Sequence, residues 1–136
     1  MNFLNLTNLF FHLMNYFQRR RVLKSISAND LIPIRVHGHD VVNGKVVILA
    51  PKFNGRLVHN MFPRTRQLFY HIKLDELGSI TWENITGDRK VAEIVTVVQT
   101  QMAEKGQSFD EAETRVNKFM TLLYDWRYIT FRQIME

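Results

Sequence analysis

The chain of 136 residues contains no cysteine. That excludes a disulfide framework, a thiolate zinc site, an iron–sulfur cluster and a cysteine nucleophile. Six Gly and three Pro are too few for a collagen-like or low-complexity chain. No apolar run reaches the roughly 20 residues that a membrane-spanning helix needs. Gly-rich phosphate loops, a His-Glu-x-x-His pair and a Gly-x-Ser-x-Gly elbow are also missing from the sequence. What is present suits one folded domain, because 46% of the residues are hydrophobic and the length falls in the usual domain range.

Charge is unevenly spread. Residues 1–68 hold ten Lys/Arg against two Asp/Glu, or +8, and residues 69–136 hold eight against eleven, or −3. The formal net charge of +5 therefore suggests a basic face on an otherwise acidic domain rather than a uniformly basic protein.

Residues 1–18 alternate helical stripes. Asn5, Asn8, His12, Asn15 and Arg19 recur at spacings of three and four, and Phe, Leu, Met and Tyr fill the remaining positions. An amphipathic helix is expected there. Arg19, Arg20 and Arg21 follow the apolar part instead of preceding it, which is the reverse of a signal peptide, so a cytoplasmic protein is expected. Such a helix can pack on its own domain, join two copies through residues 1–24, or lie on an anionic membrane surface. Ser25 to Asp30 reads as a linker, which divides the chain into an arm at 1–30 and a domain at 31–136.

The domain begins with β patterns. Ile32, Ile34 and Val36 alternate with Pro33, Arg35 and His37. Asn43-Gly44 between Val41-Val42 and Lys45-Val46 is a strong hairpin signal and predicts a strand over 45–50. Residues 51–66 read as a basic loop with a short helical turn near 57–61. Leu68, Tyr70, Ile72 and Leu74 predict a third strand. With Tyr70 and Ile72 facing the core, Phe69 and His71 would point outward.

Helical spacing follows. Asp75 can cap a short helix ending near Ile85, with Glu76 in its first turn. Val91, Ile94, Val95, Val98 and Met102 form one apolar face of a second helix that Gly106 ends. Ser108 and Glu111 have capping-box spacing before a third helix through Val116, Phe119, Leu122, Leu123 and Trp126. Tyr128 to Phe131 reads as a short final strand. Segregated strands and helices make the class α+β. The expected architecture is winged-helix-like: a three-stranded antiparallel sheet, then a three-helix unit, with the amphipathic helix added at the amino terminus.

The string Leu74-Asp75-Glu76-Leu77-Gly78-Ser79-Ile80-Thr81-Trp82, followed by Thr86-Gly87-Asp88-Arg89-Lys90-Val91-Ala92-Glu93-Ile94, resembles the core signature of the PqqD family, named after coenzyme PQQ synthesis protein D. The likeness covers roughly residues 31–132. It implies a non-catalytic peptide chaperone with no cofactor, a recognition element for ribosomally made and modified peptides. Such a protein binds the leader of a precursor peptide and presents it to a modifying enzyme, commonly a radical S-adenosylmethionine enzyme. The leader would join the sheet edge as an added strand. Carried onto this chain, the resemblance implies an edge at Phe69, Tyr70, His71, Ile72 and Lys73, and a groove wall from Arg115, Val116, Phe119, Met120 and Leu123.

Two other readings compete. A nucleic-acid-binding winged helix needs a basic recognition helix, but Phe109 to Trp126 carries Arg115 and Lys118 against Asp110, Glu111, Glu113 and Asp125. A structural or oligomerisation module would rest on residues 1–24. His37 and His39 at i, i+2, with Asp40 alongside, lack an evident third metal ligand and read as solvated strand-end histidines.

Overall fold

The computed structural model describes residues 18–52, 68–107 and 111–135. The expected helix over 1–17, the helical turn near 57–61 and the Ser108 cap lie outside them. Residues 18–25 are helical, with Arg19, Arg20 and Arg21 exposed. Val22, Leu23 and Ile26 pack against the domain core. A short 3-10 turn, Ala28–Asp30, follows and leads to buried Leu31.

Five strands and three further helices form the domain: β1 (Pro33–Arg35), β2 (His39–Val42), β3 (Lys45–Pro51), β4 (Phe69–Lys73), α1 (Glu76–Glu83), α2 (Val91–Glu104), α3 (Ala112–Asp125) and β5 (Ile129–Phe131). The mixed α+β class holds. The three-stranded antiparallel sheet runs β2-β3-β4, and β1 pairs with β5 in a separate two-stranded ribbon.

That ribbon corrects the expected strand order. The alternating run at 32–36 does not join the main sheet. Ile34 lies opposite Thr130, and the Val36 amide extends the ribbon by donating to the Tyr128 carbonyl at 3.0 Å. The chain changes sheets around Gly38, whose carbonyl accepts from Leu49 N–H at 3.0 Å. β2, a segment with little strand pattern of its own, becomes the first member of the meander.

Local sequence explains the remaining elements. Asn43 and Gly44 take positive φ values of 55° and 77°, as a two-residue type I′ hairpin requires, and Val42 pairs with Lys45 across the turn. Asp75 caps α1 by accepting from Gly78 N–H at 2.7 Å. Val91, Ile94, Val95, Val98 and Met102 are all buried on α2. Gly106, at φ 74°, ends α2 as expected: its N–H reaches Ala103 and that of Gln107 reaches Met102. α3 ends in the same motif with Arg127 in the left-handed position at φ 62°.

The core lies where the sheet meets the helices. α1 packs on β3 and touches α2 and α3, and α3 reaches β5. Val46, Ile48, Trp82, Ile94, Val98 and Val116 are completely or almost completely buried at the centre. Trp82, from the family-like signature, is enclosed with its indole edge-on to His39, the centroids 6.1 Å apart, and with the Arg35 guanidinium 5.9 Å from its ring centre. Among the described residues no helix is long and apolar enough to cross a membrane.

Candidate peptide-binding edge

β4 borders the sheet, and no described strand pairs with its outer side. Which of its peptide groups face outward follows from the hydrogen bonds at its two ends. Lys52 N–H donates to the Leu68 carbonyl at 2.9 Å, and Leu74 N–H donates to the Val46 carbonyl at 2.9 Å. Between them Ala50 faces Tyr70 and Ile48 faces Ile72. Antiparallel pairing alternates direction at each residue. Leu68, Tyr70, Ile72 and Leu74 thus turn their amides and carbonyls toward β3. Phe69, His71 and Lys73 turn theirs away, to the free edge.

Side chains follow the same alternation. Phe69, His71 and Lys73 lie on the face of Pro51, Leu49 and Val47, and all three are exposed. Tyr70 and Ile72 share the core-side face with Ala50 and Ile48. Ile72 packs against the core, but Tyr70 overhangs its end and stays 57% exposed, with the Lys52 ammonium 5.0 Å from its ring centre. With Tyr70 and Ile72 on the core-side face, Phe69 and His71 point outward, as the alternation predicts.

The expected wall on α3 needs a larger correction. Val116, Met120 and Leu123 are 0%, 3% and 3% exposed. They are core side chains facing α1, α2 and β5, closed to a ligand. Arg115 is exposed and Phe119 half-buried. Leu122 and Trp126, which sequence reasoning did not include, are exposed at 55% and 67%. Arg115, Phe119, Leu122 and Trp126 fall at i, i+4, i+7 and i+11, one stripe along the flank of α3. That spacing could have singled them out. The sequence could not tell this stripe from the equally periodic buried one beside it.

A glycine joins the stripe to the sheet. A Cβ on Gly78 would lie 3.3 Å from the Leu74 Cβ and 3.4 Å from the Phe119 ring. Phe119 therefore rests on the first turn of α1, next to the residue that follows β4.

The two carboxylates that follow β4 in the chain are engaged. Asp75 caps α1. Glu76 accepts from Lys105 and, at 3.3 Å, from Gln107. The Lys105 hydrogen bond and charge hold the Glu76 carboxyl below the ordinary range.

The histidines diverge. His37 stacks edge-on against Tyr128 at 5.6 Å on the ribbon, and partial burial lowers its pKa. His39 faces Trp82 and lies 3.3 Å from an Arg35 nitrogen. The two rings thus meet different aromatic partners, and among the described residues no three metal-ligating side chains gather. Comparison with protein-family models, curated proteins and solved structures yields no match to this chain.

Proposed function

We propose that this chain is a non-catalytic peptide-recognition domain of the winged-helix-like, PqqD-like kind. It takes the leader of a ribosomally made precursor peptide as an extra strand on β4 and presents it to a modifying enzyme, of the radical S-adenosylmethionine type in the family it resembles. The observation that carries the reading is the outward row of peptide groups at Phe69, His71 and Lys73 on a sheet edge that no described strand covers. Backbone hydrogen bonds to such an edge give affinity with little sequence demand, and alternate side chains give selectivity. The family-like residues have structural duties that support the reading: Asp75 caps α1, Gly78 makes room for Phe119 at the start of α1, and Trp82 is enclosed in the core.

Proline substitution tests the reading. Proline at His71 removes an N–H that faces the free edge and leaves the β3 ladder intact, as edge strands tolerate. Proline at Val41 does the same on the opposite edge, because Gly38, Asp40 and Val42 are the residues that face β3. Binding of a leader peptide, followed by fluorescence anisotropy, is expected to be lost in His71→Pro and kept in Val41→Pro. Equal binding by both folded variants would overturn the assignment to β4.

A further inference from the structure

Trp126 is the most exposed large apolar side chain among the described residues, and Leu122, one turn before it, is more than half exposed. The Trp126 N–H donates to the Leu122 carbonyl at 3.0 Å, so Trp126 keeps the helical register of α3. Its indole is tilted against the Tyr128 ring, with the centroids 6.4 Å apart. A large side chain already held in place loses little freedom when a partner covers it. With Arg115 and Phe119, these two residues make the stripe at i, i+4, i+7 and i+11.

The spacing four, three, four reads the same in both directions. A two-fold axis that crosses α3 midway between Phe119 and Leu122 therefore sets Phe119 against the partner's Leu122, and Arg115 against the partner's Trp126, in an antiparallel pair. The charges beside the stripe obey the same symmetry. Lys118 and Asp125 are both exposed, seven residues apart on its solvent side. Neither has an opposite charge three or four positions away in the sequence, and among the described residues neither forms an ion pair. In the antiparallel pair Lys118 comes level with residue 123 of the second copy, about 3 Å of helical rise from the partner's Asp125. A parallel pair would set Lys118 against Lys118 and Asp125 against Asp125.

We propose that this flank of α3 joins two copies of the chain in a symmetric, antiparallel homodimer. Phe119 and Leu122 lie at its centre, Arg115 meets the partner's Trp126 at each end, and Lys118 pairs with the partner's Asp125 along the margin. An isologous contact needs one surface that complements itself, and this stripe does so in apolar spacing and in charge. Guanidinium over indole is a favourable contact, and flanking charges set the orientation of paired helices. The stripe is much smaller than the about 20–30 residues a side of a standard interface, so the dimer is weak and driven by concentration. It does not depend on β4 accepting a peptide.

The test is sedimentation of the full chain from about 10 μM to about 1 mM, where the mass should rise from one chain toward two. Leu122→Glu and Trp126→Ser change exposed side chains, and each should raise the dissociation constant by roughly tenfold or more. Lys118→Asp and Asp125→Lys should each weaken the dimer, and the double variant should restore it to within about threefold. If circular dichroism shows Leu122→Glu unfolded, Trp126→Ser and the charge exchange decide. A chain that stays monomeric throughout would overturn the proposal. A dimer unchanged by Leu122→Glu and Trp126→Ser would place the contact elsewhere, residues 1–24 included, and overturn it too. Weakening by both single charge variants without rescue in the double would overturn the antiparallel register. A monomer whose Trp126 amide shifts only when a leader peptide is added would give the flank to that ligand and also overturn the dimer.

Discussion

The amide of Val46 on β3 donates to the hydroxyl of Ser79 on α1 at 2.9 Å, joining positions 33 residues apart in the sequence. The Val46 carbonyl accepts from Leu74 on the same side. Where β4 ends, a helix side chain takes over the pairing of β3. Both groups are buried, so the bond also avoids leaving an unsatisfied amide in the core. Ser79→Ala is expected to cost about 1–3 kcal/mol in urea unfolding. A change within experimental error would show that the Val46 amide finds another partner.

Gly78 gives a second prediction. Its missing Cβ leaves space for Leu74, Asp75 and Phe119. Gly78→Val would force branched methyls into that corner, with an expected destabilisation of roughly 1–3 kcal/mol by overpacking. Since Phe119 must move, peptide affinity should fall as well. Retained stability together with retained affinity would separate the corner from the binding surface.

Arg127 holds a left-handed φ of 62° at the end of α3, where glycine is favoured. Arg127→Gly should therefore raise the unfolding free energy by about 0.5–1 kcal/mol. Thermal unfolding of the two proteins measures it, and a lower melting temperature in the variant would mean that the arginine side chain contributes more than its backbone costs.

His37 sets a pH dependence. Burial lowers its pKa from the ordinary 6.5. The unfolded chain then binds a proton before the folded one does. The stability linked to His37 is complete above 6.5 and is lost as pH falls through the lower folded value. Imidazole NMR titration should place its midpoint below 6.5, and His37→Phe should flatten the stability profile over that window. A midpoint at or above the ordinary value would contradict the burial of the ring against Tyr128.

Much of the fold is readable from local chemistry. Asn43-Gly44 needs no tertiary context to turn, Asp75 caps the helix that follows it, and the buried face of α2 repeats with helical period. Partnership between distant segments is less visible. Nothing near Ile34 announces Thr130 as its neighbour, and nothing in a lone serine announces the Val46 amide. α3 hides its exposed row for a related reason. Val116, Met120 and Leu123 lie one step around the helix from Phe119, Leu122 and Trp126, and both rows are apolar. Only the packing of α3 on α1, with Phe119 resting at Gly78, decides which row is core and which is surface.

Hydrogen exchange along β4 is the most direct test of strand addition. In the free protein the amides of Tyr70, Ile72 and Leu74, bonded to β3, should exchange slowly, while those of Phe69, His71 and Lys73 exchange fast. With a saturating leader peptide, the second set should become protected while the first set is unchanged. Binding that leaves Phe69, His71 and Lys73 exchanging as in the free protein would contradict a leader strand on this edge.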